Sequence, residues 1–155
     1  MSLHDERLLD EIGWHILDEL QENARISFAE LGRKVGLSTP AVTERVRKLE
    51  DAGVIAGYRT EVNPARAGLP ITAFIRLSVV GEASARLAAL IRELPEIAEC
   101  HRTTGADSFV MKVRVSSIAH LEALIDRLTP FGTTTTSMVL STPVTRRSLA
   151  RKSHI

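Results

Sequence analysis

The stretch "STPAVTERVRKLEDAGVI", from Ser38 to Ile55, mixes aliphatic residues with hydroxyl-bearing and basic ones at the spacing of a helix. At about 100° per residue, Val42, Val46 and Leu49 form one narrow stripe that a small core can bury. The threonine, arginine and lysine side chains between them lie mostly on the other side. Such side chains can hydrogen-bond to base edges in a major groove or neutralise backbone phosphates. The pattern therefore favours a helix that lies against duplex DNA.

The outer side of this helix provides the candidate DNA contacts. Thr43 and Arg47 point away from the aliphatic stripe and are assigned to base edges. Ser38, Arg45 and Lys48 are assigned to phosphates, and Arg59 beyond the helix is a further phosphate candidate. The whole predicted set is Ser38, Thr39, Pro40, Thr43, Arg45, Arg47, Lys48 and Arg59. The alternative is a mixed polar face that only keeps a helix soluble.

The preceding sequence carries the signals of two more helices. Apolar residues recur with mostly three- and four-residue spacing from Leu8 to Leu20, which predicts a first amphipathic helix. Ser27, with Glu30 three residues later, forms a capping box for a short second helix. Gly36 ends that helix, because glycine accepts the left-handed conformation at little cost. An aromatic residue of each helix is expected to fill a small core, Trp14 from the first and Phe28 from the second.

The third helix begins at Ser38, which can serve as its N-cap, with Pro40 in the first turn where a missing N–H is harmless. Two helices joined by "GLS" form a helix-turn-helix, and "AGVIAGYRTEVN" after them predicts a short alternating hairpin. Residues 1–63 are therefore predicted to form a winged helix-turn-helix domain. Residues 64–70, which contain two prolines and a glycine, are predicted to be a hinge.

Beyond the hinge the chain partly repeats itself. "LAALIREL" at Leu87 to Leu94 matches "LEALIDRL" at Leu121 to Leu128, with aliphatic residues at the same offsets. Each of these helices follows one β-branched run and precedes another, which gives strand, helix, strand twice. Residues 71–144 are therefore predicted to form a ferredoxin-like βαββαβ domain, with both helices on one face of an antiparallel sheet. The predicted fold class is α+β.

The second face of that sheet has no helix to cover it. Depending on the strand register, Ile71, Phe74, Met111 or Val139 could lie on it. Exposed apolar patches usually mark association. The sequence therefore predicts a homo-oligomer.

The charge distribution supports a competing hypothesis. Net charge is +1, but residues 1–63 hold 8 Lys and Arg against 12 Asp and Glu, whereas the rest of the chain holds 12 against 7. An acidic DNA-binding domain must gather its basic residues on one side. The alternative is a small-molecule-binding oligomer whose N-terminal domain contacts protein. The basic tail, residues 145–155, is expected to be disordered or to contact DNA without sequence preference.

Several motifs carry a family resemblance. "ARISFAELGRKVGLSTPAVTERVRKLEDAGVIAGYRTEVNPARAG" resembles the DNA-binding part of the Lrp/AsnC (feast or famine) transcriptional regulators, and "TTGADSFVMKVRV" with "TTTTSMVLSTPV" resembles their regulatory domain. The match covers about Asp10 to Val144. It implies double-stranded DNA as a partner, an amino acid or similar small molecule as effector, and dimers that assemble further into octamer-like discs. It also implies that the effector binds between dimers, near the loop joining the second and third strands of the regulatory domain.

The residues of that loop, "HRTTGADS", are chemically compatible with an amino acid. Gly105 allows a tight turn, and Asp107 can pair with an α-ammonium group. Hydroxyl or backbone N–H groups can bind the carboxylate. The predicted effector set is Thr104, Gly105, Asp107, Ser108, Thr133, Thr134, Thr135 and Thr136. The acid stands one residue earlier than in many relatives, where Ser108 has the acid position, so either Asp107 or Ser108 could contact the effector. A plain hairpin turn and plain strand formers are the alternatives.

Composition bounds the remaining function classes. The single cysteine, Cys100, excludes an internal disulfide framework, and no apolar run approaches the roughly 18 residues that cross a bilayer. The acidic N-terminal stretch does not resemble a secretory signal, so a cytoplasmic protein without a membrane partner is expected. The histidines lack metal-ligand spacing, and no cofactor is predicted. An enzyme that used His101 and Asp107 would have no nucleophile beside them.

Overall fold

A computed structural model describes residues 7–79 and 84–150. The chain divides into two compact units, which are described separately below. The first contains residues up to 60 together with the tail from 144, and the second is Glu61–Pro143. No helix within the two described ranges has the length and apolar character needed to span a membrane.

The first unit contains three helices: α1 (Glu11–Glu22), α2 (Phe28–Val35) and α3 (Thr39–Asp51). Each helix begins at a side-chain cap that accepts a backbone N–H: Asp10 for α1, Ser27 for α2 and Ser38 for α3. Gly36 ends α2 with a φ of 74°, in the left-handed region. The capping residues and the helix-turn-helix predicted from the sequence are confirmed for α2 and α3.

The core of the first unit is the meeting point of the three helices. Val42, Val46 and Leu49 of α3 are fully buried and contact the buried Ile16 of α1 and Leu31 of α2 in one cluster. The predicted aliphatic stripe of α3 is therefore confirmed. At about 25 cal/mol per Å² of apolar surface, burying these side chains is the main stabilising contribution to so small a domain.

The aromatic residues of this unit behave differently from each other. Trp14 is half-buried and packs against the cluster, as predicted. Phe28 is 40% exposed, so the expectation that it fills the core is wrong. Phe28 is the first residue of α2, and the buried residues of that helix are Leu31, Gly32 and Val35. Phe28 lies on the same side of the helix as these three residues, but at the first position of the helix, where the buried stripe ends.

The predicted wing hairpin does not form, because residues 52–70 contain no strand. The segment is instead fixed by single contacts. Ile55 donates its N–H to the Leu49 carbonyl at 3.0 Å, and the Tyr58 hydroxyl donates to Glu50 Oε1 at 2.8 Å. A stable hairpin needs two strands that bury apolar side chains on a shared face. Residues 56–63 are exposed and offer no such face. The predicted α+β class is confirmed, but the predicted hairpin is wrong.

The second unit is a four-stranded antiparallel sheet with two helices. Its elements are β1 (Ile71–Val79), α4 (Ser84–Glu93), β2 (Ile97–Arg102), β3 (Phe109–Val115), α5 (Ile118–Leu128), a 3-10 turn (Thr129–Phe131) and β4 (Gly132–Met138). The strand order is β2-β3-β1-β4, with β1 antiparallel to both of its neighbours. This is the predicted ferredoxin-like arrangement.

One face of the sheet carries the core of this unit. Ile75 and Leu77 from β1 and Met111 from β3 are fully buried against Leu87 of α4 and Leu124 of α5. The repeated leucine stripes of the two helices therefore have the role predicted for them. Alternation along β1 and β3 places every second side chain on the opposite face.

The four apolar candidates for that opposite face differ in position. Phe74 lies on it and is 41% exposed, with Lys112 and Ser137 as its neighbours across the strands. Met111 is fully buried and Ile71 packs against the core, so these two candidates lie on the other face. Val139 follows the end of β4 and donates its N–H to the Thr72 carbonyl at 2.9 Å.

Candidate DNA-binding surface and effector loop

The outer side of α3 is open to solvent in the first unit. Thr43, Glu44, Arg47 and Lys48 are exposed, and the Arg47 side chain keeps 71% of its accessible surface. The Thr43 hydroxyl donates to the Thr39 carbonyl at 2.7 Å, which fixes its rotamer and leaves its oxygen free to accept. Thr39, Pro40 and Arg59 are exposed as well, as is Ser38, whose hydroxyl accepts from the Ala41 N–H.

Two basic residues on this side have acidic partners within the helix. Arg47 Nε lies 3.6 Å from Asp51 Oδ2, and Lys48 Nζ lies 3.5 Å from Glu44 Oε1. Both pairs join residues four apart and remain more than half exposed. Exposed pairs of this kind contribute about 0.3–0.5 kcal/mol each, so a phosphate or base can replace the acid at little cost.

Arg45 differs from the other basic residues of α3. Its guanidinium donates to Asp10 Oδ1 at the start of α1, and only 25% of its side chain is exposed. Its Nε is buried and has no partner among the described residues. The Asp10 carboxylate also accepts the Gly13 N–H at 2.8 Å. Arg45 therefore links two helices in this structure, and a phosphate contact would have to compete with Asp10.

The ionisation of Asp10 reflects these contacts. Partial burial by itself raises the pKa of the carboxyl, but the hydrogen bond from Gly13 and the charge and hydrogen bond of Arg45 outweigh it. The pKa is lowered overall. Asp10 is thus an anion that both caps α1 and binds Arg45 at neutral pH.

The loop between β2 and β3 is tightly closed. Thr103 donates two hydrogen bonds across it: its hydroxyl donates to the Asp107 carbonyl at 2.7 Å, and its N–H donates to the Ser108 carbonyl at 3.1 Å. Gly105 has a φ of 106°, which L-residues rarely adopt, so the predicted need for glycine in this turn is confirmed. Thr104 at the loop tip is exposed.

The two candidate polar residues of the loop have different partners. Ser108 Oγ accepts the Val79 N–H at 3.2 Å, so it is used to hold the loop against β1. The Ser78 hydroxyl lies 2.8 Å from the Ala106 carbonyl oxygen and 3.3 Å from Asp107 Oδ1. Its single proton can serve only one of them at a time. The Asp107 carboxylate oxygens can therefore accept further hydrogen bonds, next to the Ser78 hydroxyl.

The threonine run of β4 is divided by the strand alternation. Thr133 and Thr135 are exposed and stand opposite Ser78 and Arg76, whereas Thr134 and Thr136 are half-buried opposite Leu77 and Ile75. Ser78 therefore has Asp107 within hydrogen-bond distance and Thr133 as its neighbour across the strands.

Sequence reasoning missed Ser78. No local sequence signal marks it: its position at the end of β1, on the face away from the helices, becomes apparent only from the strand order. The structure brings Ser78, Asp107 and Thr133 to one end of the sheet, and it places Thr134 and Thr136 on the side of the core.

The residues considered for catalysis are not assembled. His101 is exposed, with Glu99 as its acidic neighbour at 3.9 Å, and Asp107 contacts Ser78. Cys100 lies next to His101 in β2 and packs partly against the core, whereas His101 is exposed. This difference is expected, because adjacent residues of a strand point to opposite faces. Within the described ranges, no three histidine, cysteine or acidic side chains are grouped so that they could hold a metal ion.

A helix-turn-helix with an open basic and hydroxyl-bearing third helix, on one chain with a ferredoxin-like domain, defines a class of DNA-binding proteins with a separate ligand-binding domain. Two family models match this division: the AsnC-type helix-turn-helix domain over residues 9–50 and the Lrp/AsnC ligand binding domain over residues 72–149. The chain belongs to the Lrp/AsnC family of transcriptional regulators.

Individual relatives agree with this assignment. The HTH-type transcriptional regulator LrpC of Bacillus subtilis is 38% identical over 133 residues, which cover 86% of this chain and 92% of LrpC. The solved structure of LrpC superposes with a TM-score of 0.85 at 37% identity and covers 89% of this chain and 99% of its own.

Two further solved structures contain L-methionine. A transcriptional regulator from Neisseria meningitidis in complex with L-methionine has a TM-score of 0.85 and 28% identity, covering 91% of this chain and 96% of its own. The feast or famine regulatory protein from Mycobacterium tuberculosis, also complexed with L-methionine, has a TM-score of 0.82 and 32% identity, covering 92% and 99%.

Proposed function

We propose that this regulator binds duplex DNA through the outer side of α3 and that a small effector, an amino acid, controls it through the β2–β3 loop. The observation that carries the DNA-binding part is the division of α3 into two sides. Its aliphatic stripe is fully buried, and Thr43 and Arg47 project from the opposite side of the same helix. A major groove about 12 Å wide admits such a helix.

The DNA contacts divide into two classes. Thr43 and Arg47 read base edges, since they lie on the outer side of the recognition helix. Ser38, Thr39 and Pro40 approach the backbone at the start of the helix, where N–H groups favour an anion. Lys48 and Arg59 neutralise phosphates. Arg45 contacts a phosphate only if that phosphate replaces Asp10 as the partner of its guanidinium.

The effector site is built around Asp107. Its carboxylate pairs with the α-ammonium group of an amino acid, while Ser78 holds its other side. Thr104 and Thr133 provide hydroxyls, and the turn at Gly105 provides exposed backbone N–H groups, for the α-carboxylate. The methionine complexes of two relatives support an amino acid as the ligand class. Ser108 has a structural role in this proposal, because its hydroxyl accepts from Val79.

Self-association completes the proposal. Phe74 exposes 41% of its surface on the sheet face away from the helices, and polar residues surround it on β3 and β4. Such a patch with a polar rim fits a homodimer interface. The dimer sets the spacing of two α3 helices on DNA, and dimers assemble to an octamer. An effector that binds one assembly state more tightly shifts the equilibrium toward it.

The competing function is a small-molecule-binding oligomer whose first unit contacts protein. The excess of acidic residues in 1–63 favours it. Chromatography on heparin and on immobilised duplex DNA separates the two: a DNA-binding protein is retained on both and elutes with salt. The proposed regulator acts in the cytoplasm, where the chromosome is, and has no catalytic role.

A thermal-shift screen of the twenty amino acids tests the effector part. A ligand that binds only the folded state raises the free energy of unfolding by RT ln(1 + [L]/Kd), and the melting temperature rises with it. One or a few amino acids are expected to give a concentration-dependent increase. No increase from any of the twenty at millimolar concentration would contradict an amino-acid effector.

A further inference from the structure

The C-terminal tail is hydrogen-bonded to α1 at Gln21. The Gln21 amide nitrogen Nε2 donates to the Leu149 carbonyl at 3.0 Å, and the Leu149 N–H donates to Gln21 Oε1 at 2.8 Å. One side-chain amide thus pairs with both backbone groups of one residue, 128 positions away in the chain. This pairing fixes the direction of the tail as well as its position, because donor and acceptor must match at the same time.

The side of α1 that carries Gln21 is acidic. At about 100° per residue, Glu11, Asp18 and Glu22 lie within about 100° of Gln21 on the helix. All three are exposed, and none has a basic partner within ion-pair distance among the described residues. This acidic side of α1, defined by Glu11, Asp18 and Glu22, belongs to the same unit as the proposed DNA-binding helix.

The tail brings charge of the opposite sign. Arg146 and Arg147 are exposed, and neither is in an ion pair within residues 7–79 and 84–150. Two residues of chain span at most about 7 Å, so Arg147 lies within about one Debye length of the point where Leu149 meets Gln21. These two arginines raise the Lys and Arg total of this unit from 8 in residues 1–60 to 10, against 11 Asp and Glu.

We propose that the acidic side of α1 is a docking site for the chain's own C-terminal tail, anchored by Gln21, and that the docked arginines offset the acidic charge of the DNA-binding unit. This inference rests on the proposed DNA binding for its consequence, but not for the docking itself. A neutralised α1 repels the phosphate backbone less, so docking raises the affinity of the unit for any duplex.

Limited trypsin digestion tests the docking without DNA. Trypsin cleaves after Arg146 and Arg147, and a docked tail resists it. Gln21→Ala is expected to raise the cleavage rate at these two positions about fivefold, since two hydrogen bonds are lost. Leu149→Pro removes the N–H donor from the other side and is expected to do the same. His15→Ala, on the same helix but not in contact with the tail, is the control. Equal cleavage rates in all three variants and the wild type would overturn the docking.

A series of charge-neutralising substitutions tests the consequence. Arg146→Ala with Arg147→Ala is expected to weaken binding several-fold on specific and unrelated duplexes alike. Adding Asp18→Asn and Glu22→Gln to that variant is expected to restore most of the loss, because the repulsion that the arginines offset is gone. A loss of affinity without this restoration would show that the arginines contact phosphates directly. It would overturn the claim that they offset the acidic charge of α1. If no variant and no wild-type protein binds duplex DNA, the proposed function fails while the trypsin result still decides the docking.

Discussion

Asp10 and Arg45 form an ion pair that joins the first residue before α1 to the middle of α3, 35 positions along the chain. The same carboxylate oxygen caps α1 by accepting the Gly13 N–H. The orientation of the recognition helix against α1 is therefore fixed by one acid in addition to the buried aliphatic stripe. Two substitutions of Asp10 separate its roles.

Asp10→Ala removes both the cap and the partner of Arg45 and is expected to lower the free energy of unfolding by about 1–2 kcal/mol. Asp10→Asn keeps a good N-cap and loses only the charge, so its loss should be smaller. Urea denaturation at pH 7 measures both. Equal stability of the Ala variant and the wild type would contradict the double role.

The pH dependence of the same residue gives an independent check. The pKa of Asp10 is lowered from 3.8 in the folded protein, so its contribution to stability is present above pH 4 and is lost as pH falls through the folded-state value. The difference in unfolding free energy between wild type and Asp10→Asn is therefore expected to shrink between pH 5 and pH 3. A constant difference across that interval would mean that the charge of Asp10 contributes nothing.

Arg47→Ala tests whether α3 reads sequence. The loss is expected to be about 1–3 kcal/mol on the preferred site and much smaller on unrelated duplexes, because a base contact is made only with the right base. Fluorescence anisotropy with both kinds of duplex measures it, with Arg92→Ala in the second unit as a matched control. An equal loss of affinity on every duplex would show that Arg47 contacts a phosphate and not a base.

Several of these relationships were accessible from the sequence and others were not. The buried stripe Val42, Val46 and Leu49 and the caps Ser27 and Ser38 depend on residues within one or two turns, so local spacing was sufficient. The partner of Arg45 was not predictable in this way, since Asp10 comes close only after α1 and α3 have packed.

The same limit applies to the proposed effector site. The threonine run of β4 has four consecutive hydroxyls, and only the register against β1 shows that Thr133 stands opposite Ser78 while Thr134 stands opposite Leu77. The face of Met111 was left open for the same reason, because a one-residue change of register exchanges the two faces of a strand. Ser78 itself attracts attention only once the strand order puts β1 between β3 and β4.

Asp107 and Ser108 can be distinguished by substitution. Asp107→Asn should abolish the rise in melting temperature caused by the effector, because the ion pair to the α-ammonium group is lost. Ser108→Ala should lower the melting temperature of the free protein but keep most of the effector-induced rise, since its hydroxyl holds Val79. The opposite result, with the effect lost in Ser108→Ala and kept in Asp107→Asn, would reverse the two roles.

Phe74 tests the proposed oligomer. Phe74→Lys places a charge beside Arg76 and Lys112 on the exposed sheet face, and burying it in an interface would be costly. Sedimentation velocity is expected to show a smaller species than the wild type at the same concentration. Ile118→Lys, at an exposed position 55% accessible at the start of α5, is the control. An unchanged sedimentation coefficient in Phe74→Lys would remove this face from the interface.

The central claim is that the exposed side of α3 binds duplex DNA, and a salt titration of that binding tests it most directly. Anisotropy with a labelled duplex from the protein's own upstream region, repeated from about 50 to 200 mM salt, is expected to give a steep negative slope of log K against log salt. Lys48→Ala should reduce that slope by about one phosphate contact. A binding constant independent of salt, or no binding at the lowest salt, would contradict the account.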